Sequence, residues 1–153
     1  MTHTSPGRTL RRVGGIATAA GALFVATGAA AWLTVTRQLQ EEKITVPGNS
    51  PLLPGRPVQG PATAFAEAQI IKQNAERGSG GRTFADISDA LRGLDGASDE
   101  ARELRNQSSA LSTAAALRTS LMTSVLAYGV SAFIAGLGLL LTVMGCQLRR
   151  SEN

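Results

Sequence analysis

The sequence predicts an all-α membrane protein, with two transmembrane helices and a partly helical, turn-rich extracytoplasmic loop between them. Three observations carry this expectation. Residues 13–36 and 119–148 contain no Asp, Glu, Lys or Arg. A bilayer core of about 30 Å needs roughly 20 helical residues at ~1.5 Å each, and both runs exceed that length. Five of the six prolines fall within residues 47–61, so the region between the runs opens as a turn-rich chain. A length of 153 residues would suit one soluble domain. A buried helix of such a domain, however, is usually shorter and keeps a polar stripe.

Charge sets the expected orientation. Arg8, Arg11 and Arg12 precede the first run without an acid, and Arg149 and Arg150 follow the second, opposed by Glu152. Between residues 37 and 118 ten basic and ten acidic residues cancel, so the net charge of +4 lies at the two ends. Lys and Arg are retained on the cytoplasmic side of a span. The expected layout is therefore a basic cytoplasmic tail (1–12), a first span (13–36), an extracytoplasmic segment (37–118), a second span (119–148) and a cytoplasmic tail (149–153). This makes a multi-pass protein of the plasma membrane. A pI near 10.2 can point to nucleic acid, but here the unbalanced basic residues flank the spans and no basic aromatic patch accompanies them.

The first run has a rival reading. A basic start, an apolar stretch and Ala29-Ala30-Ala31 together resemble a secretory signal with a small-residue cleavage site. The run is longer than a usual signal core, and Trp32, Leu33 and Val35 continue it past that site. Trp32 also suits an interfacial anchor close to Arg37. An uncleaved anchor is the favoured expectation.

Within the segment, Ile44-Thr45-Val46 reads as a short strand before the prolines. Residues 61–77 are expected to form a helix, with Pro61 in its first turn and Gly78 as its stop. Phe65, Ala68, Ile71 and Ala75 would form its apolar face, with Glu67, Lys72, Glu76 and Arg77 elsewhere. Gly78-Ser79-Gly80-Gly81 reads as a flexible break. Thr83 would cap a short helix reaching Arg92, with Phe84, Ile87 and Leu91 apolar. A helix near residues 98–118 should open at Ser98 or Asp99, with two acids in its first turn. No Gly or Pro interrupts residues 98–128, so this helix is expected to run on into the second span. Leu104 and Leu111, beside a row of Ala101, Ser108 and Ala115, offer a short bundling surface. Arg118 would lie at the outer interface with its stem snorkelling.

In lipid, helices gain nothing from mutual hydrophobicity, so small residues that permit close approach become informative. Gly14, Ala17, Gly21, Val25 and Gly28 share one face of the first span. Ser124, Ala127, Ser131, Ala135, Gly138, Thr142 and Gly145 share one face of the second. These faces suit packing between the two spans or between protomers. Leu23, Phe24 and Leu33, with Leu126, Phe133, Leu137 and Leu140, suit lipid.

Side-chain chemistry is sparse. His3 is the only histidine and lies in the N-terminal tail, and Cys146 is the only cysteine. No catalytic, cofactor-binding or metal-binding residues are expected: zinc and iron sites need clustered His and Cys, and a Ser-His-Asp triad needs a histidine on the right side of the membrane. Residues 78–83 echo a phosphate loop but lack its lysine and its leading glycine spacing, and a linker is the simpler reading. Cys146, after Val143-Met144-Gly145, is read as a membrane-buried small residue. No charge lies within either run, which speaks against an ion pathway made by one chain.

Lys43-Ile44-Thr45-Val46, Gly60-Pro61-Ala62-Thr63-Ala64 and Leu117-Arg118-Thr119-Ser120-Leu121 together resemble a family of small two-span actinobacterial membrane proteins. The Ala-, Gly- and Arg-rich composition fits such a source. The resemblance implies two spans and an extracytoplasmic loop. Some members bear the name aromatic ring-opening dioxygenase, but such enzymes hold iron through histidines and a carboxylate, and this chain has one histidine. The expected role is non-enzymatic: an accessory or structural protein of the bacterial cell envelope, acting through helix–helix and extracytoplasmic contacts. The alternative is a small subunit or regulator of a larger membrane complex, and an enzyme has least behind it. Expected partners are the bilayer, and a second copy or another membrane protein through the small-residue faces. Neither nucleic acid nor a small-molecule substrate is expected.

Overall fold

The computed structural model describes residues 6–150. His3, the start of the basic tail and residues 151–153 lie outside the described residues. The described chain is all-helical: α1 (Pro6–Glu41), α2 (Pro61–Gly78), α3 (Phe84–Arg92) and α4 (Asp99–Arg150). α1 and α4 are each long and apolar enough to cross a membrane. With 36 and 52 residues, they extend about 54 and 78 Å at 1.5 Å per residue, well past a bilayer core. The described chain divides into two compact units, residues 6–38 with 126–150, and residues 39–125.

The first unit is an antiparallel pair of helices closed on small residues. A Cβ placed on Gly14 would lie 2.8 Å from the Gly145 carbonyl oxygen, one on Gly21 2.6 Å from that of Gly138, and one on Gly28 2.6 Å from that of Ser131. Real Cβ atoms do not approach so closely, so the two backbones touch where side chains would stand. The three contacts recur every seven residues on both helices, the spacing of a left-handed pair. The pattern Gly-x3-Thr-x2-Gly occurs twice, as Gly14, Thr18, Gly21 and as Gly138, Thr142, Gly145. Each copy docks on the other: Thr18 Oγ1 lies against Gly145, and Thr142 Oγ1 against Gly21. Each threonine hydroxyl also donates to the carbonyl four residues back, Gly14 O or Gly138 O, both at 2.8 Å. Neither hydroxyl is thus left unpaired in the seam.

One end of the pair is fixed by the only tryptophan and the only tyrosine of the chain. Trp32 meets Tyr128 edge-on with centroids 4.6 Å apart, and the buried Tyr128 hydroxyl shares a 2.8 Å hydrogen bond with Thr36 Oγ1. The small-residue faces expected from the sequence therefore meet within one chain. Leu23, Leu33, Leu126, Phe133 and Leu140 point outward, Phe133 with 72% of its surface free. Cys146 also points outward, because it follows the seam residue Gly145 and so turns off the contact face.

The second unit is built on α2. Ala64, Ala66, Glu67, Ala68 and Ile70 are buried, an arc of roughly 200° at 100° per residue and wider than an ordinary amphipathic stripe. The expected apolar face is corrected accordingly. Phe65 is 39% exposed, and Glu67, placed on the polar side by its charge, is inside. Alanines allow neighbouring elements to close around the helix on several sides, and that crowding decides its rotation. At its start, Thr63 Oγ1 accepts from Gly60 N and Gln59 N.

The expected strand at residues 44–46 is reduced to one antiparallel bridge, Thr45 to Pro57. Val46 N and Val58 N donate across it to Arg56 O and Ile44 O, each at 2.9 Å, and both valines are buried. Val46 O accepts from Gly55 N at 2.9 Å while Arg56 N turns back to Leu53 O at 3.3 Å, so the ladder gives way to a turn on that side. The break after α2 is a shaped turn rather than a loose linker. Gly81 N donates to Glu76 O at 2.8 Å and Gly80 N to Arg77 O at 3.2 Å, with φ +62° at Gly80 and +79° at Gly81. Thr83 caps α3 as expected, with Ile87 buried but Phe84 exposed. Ser98 Oγ accepts from Ala101 N at 3.1 Å at the start of α4. α4 runs unbroken from Asp99 past residue 128, matching the absence of Gly and Pro there, and Ala101 and Leu104 are buried in this unit.

Candidate functional site

The second unit contains a groove of about 660 Å³ between α2 and the first third of α4. That volume falls in the range of small-ligand sites, roughly 300–1,000 Å³. Helical spacing brings its residues to one place. Ile71, Asn74, Ala75 and Gly78 recur every three or four residues along α2, followed by Ser79. On α4 the residues are Asn106, Gln107, Ala110, Leu111, Ala114 and Leu117, one face over three turns, with Ser109 and Thr113 at its edge. Along α4 the lining passes from amide-bearing to apolar as the helix proceeds.

None of the lining residues is Asp, Glu, His, Lys, Arg, Cys or Tyr. The groove therefore offers no general acid or base and no activated nucleophile. It does offer hydrogen bonding. Gln107 Nε2 donates to Glu103 Oε1 at 3.2 Å, while Gln107 Oε1 is buried and has no hydrogen-bond partner. A buried acceptor without a donor costs about 1–3 kcal/mol. Asn74 Oδ1 accepts from Asn49 at 3.5 Å and Ser79 Oγ donates to Glu76 O at 3.3 Å, so both retain further capacity.

Two carboxyls of this unit are perturbed, for opposite reasons. Burial raises the pKa of Glu67, whose Oε2 is buried and without a partner. Asp86 is lowered, first by the hydrogen bond from the Thr83 backbone N–H and then by that from the Thr83 hydroxyl, 2.8 and 2.7 Å away. The second case is ordinary helix capping. The first was not legible in the sequence, where Glu67 is one of several charges on a helix. The alanines on either side of it were the available signal, since they permit close packing.

Residues 78–83 hold no anion cradle. The amides of Ser79, Gly80 and Gly81 close the end of α2, and Thr83 is engaged with Asp86. Among the described residues no group of three or more His, Cys, Asp or Glu side chains could hold a metal ion. The groove itself was missed at the sequence level. Leu111 was expected on a bundling surface with Leu104, but nothing local in the sequence sets Asn106 and Gln107 beside α2. No family profile, curated protein or solved structure matches this chain.

Proposed function

We propose that the chain is an integral protein of the plasma membrane that spans the bilayer twice, with both termini cytoplasmic and residues 37–118 outside. Its role in this reading is non-enzymatic and accessory or structural in the cell envelope, with the outer unit acting as a binding element. The observation that carries the functional part is the groove, concave, partly apolar and without a titratable side chain, which favours binding over chemistry. The spanning part is supported by the seam. In lipid, close backbone contact along Gly14, Gly21 and Gly28 is what would hold two helices together. It also favours retention of the first run, because a discarded signal needs no complementary partner, and α1 continues unbroken through Ala29–Ala31 to Glu41. The seam occupies this face of α1 with α4 of the same chain.

Cysteine labelling tests the topology. With Cys146 replaced by Ser, single cysteines are placed at Ser5, Ala85 and Ser151. Ala85 is chosen because it is exposed, whereas Ser79 is buried. An impermeant thiol reagent on intact cells should label only the Ala85 variant, and labelling at Ser151 would overturn the reading. Mild-detergent purification addresses the role: stoichiometric co-purification of one membrane protein would favour a subunit of a larger complex instead.

A further inference from the structure

We infer that the paired ends of α1 and α4 form a site for the phosphate headgroup of an anionic phospholipid, clamped between Arg11 and Arg149. The seam creates this pair. Gly14 stands against Gly145, and Cγ of Arg149 lies 3.0 Å from the Cβ position at Gly14. The Arg149 stem is therefore laid across the start of α1, which carries Arg8, Arg11 and Arg12. Arg11 comes three residues before Gly14 and Arg149 four after Gly145, so each stands one turn beyond the last close contact. In right-handed helices of opposite direction, those two offsets fall on the same side of the seam. Leu10 and Leu148 take the other side by the same rule. Arg12, two residues and so about 200° from Gly14, turns to the far side of α1.

Within this unit no carboxylate answers the cluster. Its described residues, 6–38 and 126–150, include no Asp or Glu, and Arg11, Arg12, Arg149 and Arg150 are all exposed. Glu152, outside the described residues, is the one acid nearby in the sequence, and it can neutralise only one of five arginines. The last carbonyls of α4 draw on Arg149 and Arg150, but α1 starts at the same end and its first amides are positive. Guanidinia held side by side without a carboxylate favour a bridging anion, and their planar forks match the oxygens of a phosphate. Depth identifies its source. Arg11 and Arg149 lie within two residues of the apolar runs, which start at residue 13 and end at residue 148. In the two-span reading, on which this assignment rests, that is the headgroup level of the anionic cytoplasmic leaflet. The surface beneath them is shallow. Gly15, four residues after Arg11, has nothing within 4 Å of its Cβ position, and Cys146, three before Arg149, is exposed. An acyl chain lies along that side with its phosphate at the clamp.

The test uses the full chain in phosphatidylcholine nanodiscs doped with phosphatidylglycerol of the same acyl chains, and native mass spectrometry to count the phospholipids retained. Phosphatidylglycerol should be retained in preference to phosphatidylcholine. Arg11→Gln and Arg149→Gln should each weaken that retention about fivefold, the attraction of one arginine to an anionic lipid. Arg12→Gln removes the same charge beside Arg11 but on the far side of α1, and should change little. Arg37→Gln, at the other end of α1, should also change little. Emission from Trp32, at the opposite end of the pair, checks that the seam is intact in each variant. Equal losses for Arg11→Gln and Arg12→Gln would reduce the cluster to diffuse surface charge and overturn the clamp. Displacement of the lipid by millimolar glycerol phosphate would overturn the lipid as its occupant. Incorporation into nanodiscs without preference for phosphatidylglycerol would overturn the site and leave the two-span reading standing. A chain that does not enter nanodiscs at all would remove both.

Discussion

Gly21 and Gly138 face one another so closely that each Cβ position is occupied by the other helix's backbone. Gly15, one residue from the seam glycine Gly14, has nothing within 4 Å of its Cβ position. Gly21→Leu and Gly138→Leu should therefore each destabilise the helix pair by about 1–3 kcal/mol, the cost of overpacking, while Gly15→Leu should be near neutral. Emission from the single tryptophan reports the difference, because separating the helices releases Trp32 from Tyr128. Glu67 obeys a different rule. Its pKa is raised by burial from an ordinary value near 4.5, so the folded unit retains a proton that the unfolded chain has released. Stability is fully present below the ordinary value and falls as pH rises through the raised one. Glu67→Gln should flatten that dependence and raise stability at pH 7 by on the order of 1 kcal/mol. Thermal melts of the full chain between pH 4 and 8 would show it; an unchanged pH profile would mean the carboxylate is solvated.

At the scale of elements, the ends were readable and the rotations were not. Pro61, Thr83 and Ser98 each mark a helix start, and the structure uses the hydroxyls of Thr83 and Ser98 as caps. Capping is local chemistry between residues a few positions apart, so sequence suffices to see it. The turn after α2 was legible as a stop but not as a shape. Its form depends on Gly80 and Gly81 adopting positive φ while their amides return to α2. Gly81→Ala should cost about 1–2 kcal/mol through left-handed strain, whereas Gly78→Ala, with an open Cβ position inside the helix, should be neutral or slightly stabilising. Denaturant titration of the two variants compares them directly. The rotation of α2 escaped because Phe65 and Ile71 outweigh alanines on any hydropathy pattern. Packing reversed that ranking, since the alanines are what allow neighbours to approach.

For the whole molecule, the two apolar runs each lie within a single helix long and apolar enough to cross a membrane. Retention of the first run is the corresponding prediction. Mass spectrometry of the purified protein should find residues 13–31 intact, and a mature N-terminus near Trp32 would establish cleavage instead. The sequence by itself determined the two helices long enough to cross a membrane, the capped helices between them, and the faces carrying small or bulky residues. These depend on local periodicity, on backbone rules for Pro and Gly, and on run length, all of which operate within a few turns. Packing alone established that the small-residue faces of α1 and α4 meet each other, that Glu67 is enclosed, and that α2 and α4 leave a groove without a charged lining residue. Each is a property of two segments far apart in the chain. Burial, a missing donor or a backbone contact exists only once the second segment is in place.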